Sequence, residues 1–122
     1  MAKKHSPRFL AIVNAARDGI EECEASDLPG LISDGAVLID VREQHEFEAG
    51  RHVNAIHIGK GVIERDIEKQ DFDIKQKIVL YCGGGFRSAI AAKSLTDMGY
   101  SNVISLWGGW RSILAEGLET KS

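Results

Sequence analysis

Short apolar runs alternate along this chain with segments whose apolar residues recur every three or four positions. Val37-Leu38-Ile39, Ala55-Ile56-His57-Ile58, Ile78-Val79-Leu80-Tyr81 and Val103-Ile104 have the length expected of short buried strands. Ile20 to Cys23 adds a short edge strand. Phe9, Ile12 or Val13, Ala16 and Ile20 recur at helical spacing and predict a helix from Arg8 to about Gly19. Ser6 suits its cap and Pro7 its first position. Ser26 or Asp27 caps a second short helix through Leu31 and Ile32, which Gly35 closes. A third helix runs from Glu43 to Ala49, with Gly50 as its stop. Val62, Ile63, Asp66 and Ile67 predict a helix with one apolar face. Ala91, Ala92, Leu95 and Met98 predict another that stops at Gly99, and Trp110 to about Ala115 closes the chain. Strands that alternate with helices predict a parallel sheet covered on both faces, a three-layer α/β fold.

Bulk properties narrow the partners. A chain of 122 residues holds one core and is short for two ordinary domains. The net charge is −3 and the cations are scattered, which argues against a nucleic-acid binder. No run approaches the roughly 20 apolar residues of a membrane span. The charged start, Met1-Ala2-Lys3-Lys4-His5-Ser6-Pro7, leads into no leader-length apolar stretch, so a cytoplasmic location is expected. Cys23 and Cys82 then read as free thiols rather than a bridge. No Cys or His pair has ligand spacing, so neither a metal nor a cofactor is expected.

One junction changes the picture. The strand Ile78–Tyr81 runs directly into Cys82-Gly83-Gly84-Gly85-Phe86-Arg87-Ser88, and a helix comes next. Ligands of open α/β sheets bind at the carboxyl ends of strands. Three glycines without side chains let backbone amides turn inward as an anion nest. The helix start adds its positive dipole end and Arg87 a full charge. Such surroundings favour a nucleophilic thiolate, and the same nest suits a persulfide, which is itself an anion.

Three stretches of the sequence resemble the rhodanese family of sulfurtransferases. They are Leu38-Ile39-Asp40-Val41-Arg42-Glu43 with Glu46-Phe47 and Gly50, the loop Cys82 to Ser88, and Gly99-Tyr100-Ser101-Asn102-Val103 through Gly108-Gly109-Trp110. The resemblance spans about Ile20 to Leu118 and implies a single domain with a central five-stranded parallel sheet flanked by helices. On that basis residues 20–122 form the domain and 1–19 a helical extension, which either packs on the domain or mediates self-association. The resemblance also implies that Cys82 is the persulfide carrier and that Gly83, Gly84, Gly85, Phe86, Arg87 and Ser88 bind substrate. Asp40 and Arg42 would hold or border the loop, Asp40 pairing with a nearby arginine. Direct catalytic service and structural capping of a strand end are both open for these two. Two departures stand out. The family usually has histidine, a small apolar residue, proline and glycine where this chain has Arg51-His52-Val53-Asn54-Ala55, and Gly59 stands where a proline is common. A basic group near the pocket mouth is one expected consequence.

The expected reaction moves sulfane sulfur from thiosulfate or a related small donor, through Cys82, to a thiol, to cyanide or to a protein acceptor. A persulfide carrier that serves a partner protein is the alternative. A cysteine-dependent phosphatase ranks lower, because the related phosphatase loop has five residues between cysteine and arginine and this one has four. Arg87 is expected to point either inward to substrate or outward to Asp40. His45, His52 and His57 are acid–base candidates only because histidine titrates near neutrality. Trp107 and Trp110 are expected to pack the last helix, with a pocket-lining role open for Trp110. Cys23 is expected to be structural and remote from Cys82.

Overall fold

The computed structural model describes residues 5–122. Residues 1–4, the start of the expected extension and of the argument about a leader, lie outside the described residues. In chain order the elements are α1 (Pro7–Arg17), β1 (Glu21–Cys23), α2 (Leu28–Ser33), β2 (Val37–Asp40), α3 (Gln44–Ala49), β3 (Arg51–His52) and β4 (Ile56–His57). They continue with α4 (Ile63–Asp66), β5 (Ile78–Tyr81), α5 (Phe86–Asp97), β6 (Val103–Leu106), α6 (Gly109–Ala115) and β7 (Thr120–Lys121). Five strands form one parallel sheet in the order β1-β6-β5-β2-β4.

The sheet order reflects burial. All four residues of β5 are buried, so it needs strands on both edges and helices on both faces. Side chains alternate across the sheet. Ile78, Leu80 and Cys82 share one face with Ile39 and Val41, under Ile63 of α4 and Ala91, Ala92 and Leu95 of α5. Val79 and Tyr81 share the other with Leu38, Ile104 and Leu106, under Leu28 of α2 and Ile113 of α6. Each fully buried Ile or Leu contributes about 1.5–3 kcal/mol relative to exposure, so this two-sided core dominates the favourable side of folding. It fixes where β5 ends, and therefore where Cys82 stands.

α1 packs on α5 through Val13 and Ala16 against Ala89. The Ser6 side chain accepts the Phe9 amide at 3.3 Å and Pro7 opens the helix. At the far end Arg17 pairs with Glu22 of β1 at 2.9 Å, and its guanidinium carbon lies 3.6 Å from the Trp107 ring centroid. The helix is thus packed along its buried face and pinned at its C-terminal end to the body of the fold.

Three local expectations need correcting. The single helix over Val62–Ile67 is instead three successive turns: a 3-10 turn at Lys60–Val62, α4, and a 3-10 turn at Ile67–Gln70. Ile63 and Ile67 are both buried four residues apart, and Asp71 at φ 54° then stops the run. Asp27 does not cap α2 with its side chain; it reaches back to the Glu24 amide at 3.0 Å and caps a 3-10 turn at Ala25–Asp27. An antiparallel ribbon of β3 with β7 escaped the sequence reading, because two-residue strands carry no periodicity. Among the described residues no helix is long and apolar enough to cross a membrane.

Candidate active site

Cys82 is the first residue beyond β5, and the backbone after it is held from outside. The carbonyls of Cys82, Gly83 and Gly84 accept the amides of Trp110 (2.7 Å), Arg111 (3.2 Å) and Gly108 (3.1 Å), at the start of α6. A trans peptide points its C=O and N–H in opposite directions. Fixing three carbonyls on α6 therefore turns the amides of Gly83, Gly84 and Gly85 away from it. The Gly85 amide donates to Cys82 Sγ at 3.1 Å and the Ser88 amide at 3.4 Å. Ser88 Oγ stands 3.6 Å from the sulfur and 2.9 Å from Ser105 Oγ, and both serines are fully buried. Among the described residues, the amides of Gly83, Gly84, Phe86 and Arg87 donate no hydrogen bond. These remain available to an anion bound outside the sulfur.

The three loop glycines do different work. Gly85 sits at φ +105°, and a Cβ there would come within 2.9 Å of Trp107 Cε3. Only glycine fits. Gly83 and Gly84 would meet nothing closer than 3.4 Å, so they chiefly leave amides bare. The tightest approach to backbone is at the start of α6: a Cβ on Gly109, at φ +51°, would collide with the Cys82 carbonyl oxygen. The pair Gly108-Gly109 is thus the part of the last sequence stretch that lets α6 approach and hold the loop.

Asp40 and Arg42 form a buried pair at the adjacent strand end. Arg42 Nη2 reaches Asp40 Oδ2 at 2.7 Å, its Nε lies 3.1 Å from both oxygens, and its amide caps Oδ1 at 2.9 Å. Nη2 also donates to the Gly50 carbonyl at 2.6 Å. Burial opposes the Arg42 charge, but the bond to Asp40 and the charges of Asp40, Tyr81 and Glu46 together raise its pKa. The guanidinium lies 4.8 Å from the Trp110 ring centroid and faces the cleft. Asp40 therefore takes Arg42, and the outward pairing of Arg87 with Asp40 does not occur.

Arg87 instead lines the cleft and pairs with Glu46 of α3, Nη1 to Oε1 at 3.0 Å. Burial opposes the Arg87 charge; the hydrogen bond to Glu46 and then the neighbouring Cys82 raise its pKa. Burial likewise works against ionised Glu46, yet its bond to Arg87 holds it below its usual value. Glu46 was visible in sequence only as part of a motif, because its partner lies 41 positions away.

The cleft above Cys82 measures about 700 Å³. Its charged lining is Arg42, Glu46, Arg87 and Arg111, and its rings are His5, Phe9, Phe86 and Trp110. Trp110 takes the pocket-lining role that the sequence left open. His5, Phe9 and Arg111 were not anticipated, since only tertiary packing brings them here. Ser105, behind Ser88, was likewise missed: it reads as an unremarked strand residue.

Other candidates fall outside. His57 Nε2 bonds the Arg42 carbonyl at 2.7 Å and its ring stacks on Phe47. His52 is buried, its Nδ1 accepts the Asn54 amide, and burial lowers its pKa although Glu119 opposes this. His45 is exposed. No histidine but His5 lines the cleft among the described residues. Arg51 lies over the Phe47 ring and does not line the cleft, so the basic group expected from this stretch is not there; Arg111, from α6, lines the cleft instead. Cys23 packs on the opposite face of the sheet from Cys82, two strands away.

The family model described as a rhodanese-like domain matches residues 24–116. The thiosulfate sulfurtransferase GlpE of Pseudomonas entomophila is 35% identical over 85 residues, covering 67% of this chain and 76% of that protein. A tRNA uridine(34) hydroxylase of Erwinia tasmaniensis is 33% identical over 93 residues; they make up 70% of this chain and only 26% of the hydroxylase. Among solved structures, a Rhodopseudomonas palustris protein of unknown function, described as a possible tyrosine phosphatase, superposes with TM-score 0.81 at 27% identity, covering 99% of both chains. The polysulfide-sulfur transferase homodimer of Wolinella succinogenes superposes with TM-score 0.80 at 28% identity, over 93% of this chain and 87% of that one. The strand order, the cysteine at the end of the middle strand and the matched residues agree: this chain belongs to the rhodanese-like domain family.

Proposed function

We propose that the protein is a sulfurtransferase that carries sulfane sulfur on Cys82. The observation that carries this reading is the supply of loop amides: two donate to the sulfur, and four more on the same loop and helix start make no hydrogen bond. A bare thiolate needs only the first two. A persulfide places a second, negatively charged sulfur among the others.

In the first half-reaction the Cys82 thiolate attacks the outer sulfur of thiosulfate or a related donor. The new S–S bond forms on Sγ, the donor's S–S bond breaks, and its electron pair leaves on sulfite. In the second, a thiol, cyanide or a protein thiol attacks the outer sulfur and Cys82 departs as the thiolate. Ping-pong kinetics are the consequence. Arg87 and Arg111 attract the anionic donor, and Arg42 closes the inner wall while it stays paired with Asp40. The names of the GlpE and Wolinella relatives support thiosulfate and polysulfide as donor classes. Residues 20–122 serve as the catalytic domain in this reading, and 1–19 as an extension of it.

The phosphatase alternative draws on the description of the R. palustris structure. Against it, the loop is one residue short of the phosphatase spacing, and Glu46, the one carboxylate lining the cleft among the described residues, is already held by Arg87. Intact-mass analysis after incubation with thiosulfate decides. A gain of one sulfur, discharged by cyanide and absent in Cys82→Ser, is expected. No adduct from thiosulfate or polysulfide, with turnover of an aryl phosphate, would overturn the assignment in favour of the phosphatase. Discharge by a protein thiol but by no small acceptor would replace the enzyme reading with the carrier.

A further inference from the structure

α1 precedes the residues that match the family, yet two side chains at its start line the cleft above Cys82. The His5 and Phe9 rings lie 5.2 Å apart. Both meet Phe86, the residue that opens α5 behind the glycines, at 4.5 and 6.4 Å. Phe86 in turn meets Trp107 edge-on at 5.4 Å. These are the separations of interacting aromatic rings. The wall is continuous, and two distant parts of the chain build it. It is also held in place, because Val13 and Ala16 are buried beneath α1 and Arg17 is clamped between Glu22 and Trp107.

The cleft is also lined by three arginines. Arg42 and Arg87 are committed to Asp40 and Glu46, whereas the Arg111 side chain makes no ion pair among the described residues. A cavity of about 700 Å³ lined by aromatic rings, arginines and Cys82 has the size and polarity of a site for an organic ligand. Thiosulfate is a small dianion without apolar surface. Seated on the loop amides, it would leave the aromatic wall bare.

We propose that this cleft selects an organic sulfane-sulfur donor, an anion whose reactive sulfur sits on the Cys82 loop while its apolar arm packs on His5, Phe9 and Phe86. α1 is then the specificity element of the site. This rests on the persulfide reading of Cys82 and names the substrate class for it. With an organic thiosulfonate, the Cys82 thiolate bonds to the outer sulfur, the bond from that sulfur to the sulfonyl sulfur breaks, and the electron pair leaves on the sulfinate. No further oxidant or reductant is needed.

The test uses two probes that share this chemistry and differ in the arm, benzenethiosulfonate and methanethiosulfonate. Single-turnover persulfide formation, monitored by intact mass, gives a rate constant for each and their ratio for each variant. Phe9→Ala is expected to lower the benzene-to-methane ratio about tenfold, the loss of one aromatic contact. Because Phe9→Ala also loosens α1, His5→Ala supplies a second reading: His5 lies before the helix, and its removal is expected to lower the ratio about threefold. Ile12→Ala, on the exposed side of the same helix, is the control and should leave both rate constants unchanged. An unchanged ratio in both Phe9→Ala and His5→Ala, with persulfide still forming, would overturn the selectivity while leaving the Cys82 reading intact. An equal fall in Ile12→Ala would also overturn it, since helix displacement and not ring contact would then set the ratio. No persulfide from either probe or from thiosulfate in the unmodified protein defeats the Cys82 reading, and the selectivity with it.

Discussion

Cys23 and Cys82 occupy equivalent places in one sheet and opposite chemical worlds. Each stands at the carboxyl end of a parallel strand, and each leads into a helix on the way to the next strand. Cys23 is the more exposed of the two. Yet burial, and after it the carboxylates of Asp27, Glu21, Glu22 and Glu24, pushes its thiol up to about 12. At Cys82 the chain turns through glycines, amides face the sulfur, and the nearest charged side chains in the cleft include three arginines. The contrast teaches that exposure does not by itself set the surroundings of a thiol. The backbone beyond the strand end sets them: after Cys23 a capping box turns carboxylates toward the junction, and after Cys82 a tethered loop turns amides toward it.

The largest expected effect breaks or upholds that contrast directly. With iodoacetamide near neutral pH, the buried Cys82 should be alkylated first and the more exposed Cys23 should lag. In Cys82→Ser the remaining thiol should react slowly, its rate rising about tenfold per pH unit until the pH nears 12, where thiolate becomes the main form. The linkage has a definite sign. A folded-state pKa raised from 9.0 to about 12 means that the folded chain holds the Cys23 proton more tightly, so this contribution to stability is complete below about pH 9 and is lost as pH climbs toward 12. Peptide mapping that finds Cys23 labelled first at neutral pH would show that exposure governs after all.

Next in size is a pair of glycine substitutions, one at each junction. Gly109→Ala places a Cβ against the Cys82 carbonyl at a left-handed φ, so it should cost about 3 kcal/mol of stability, as strain and overpacking do elsewhere. Persulfide formation should fall about a hundredfold, because the tether that turns the amides is displaced. Gly30→Ala, in α2 beyond Cys23, meets nothing within 4 Å and should stabilise by about 0.5–1 kcal/mol. Denaturant titration and single-turnover kinetics check both. Equal, small effects would mean that the close approach of α6 to the loop is not what holds it.

How much of this contrast could be read in the sequence depends on range. The strand Ile78–Tyr81, the cysteine and the three glycines lie within eight positions, and the sequence places them correctly. The four residues from Asp40 to Glu43 likewise mark a strand end and a helix start. What the sequence left open was set by partners far along the chain. Arg87 had two expected orientations; Asp40 is occupied by Arg42 two positions on, and Arg87 lines the cleft while paired with Glu46, a partner the sequence did not supply. Gly109 and Trp110 read as a loop and a packing residue; their service to Cys82 appears only when α6 docks. His5 and Phe9 are the extreme case, more than seventy positions from the loop whose cleft they line. The two-residue strands β3 and β7 had no pattern to find.

A smaller effect concerns what stands behind each sulfur. Ser88 and Ser105 bond to each other at 2.9 Å in the buried floor beneath Cys82. Ser105→Ala removes one partner of a buried hydrogen bond and should cost about 1 kcal/mol. It also frees the Ser88 hydroxyl to rotate, so persulfide formation should slow by a few-fold, whereas Cys23 alkylation in the same variant should not change. Chemical denaturation and the two labelling rates read this out. A loss of stability with no change at Cys82 would reduce the serine pair to packing.

The smallest effect asks whether even one carboxylate matters on the Cys82 side. Four carboxylates surround Cys23; the cleft at Cys82 has Glu46 alone among the described residues, and it sits on Arg87. The pair is about one-third exposed, so its loss should change stability by less than about 1 kcal/mol. Its charge matters more to a dianion than its bond does to the fold. Glu46→Gln should raise the rate of persulfide formation from thiosulfate about two- to fivefold at low ionic strength, and high salt should erase the gain. The pH dependence has a fixed direction as well. Although burial favours the protonated form, the Arg87 bond holds Glu46 below its usual value, so the carboxylate stays ionised through the ordinary Glu range and the pair is lost only as pH falls through that depressed value. The gap between Glu46→Gln and the unmodified protein should therefore persist from neutral pH down through the usual carboxylate range and close only beneath it. A gap that closed within the usual range would show that Arg87 does not hold Glu46, and a variant slower than the parent at low salt would show that Glu46 aims Arg87 at the donor and does not merely screen it.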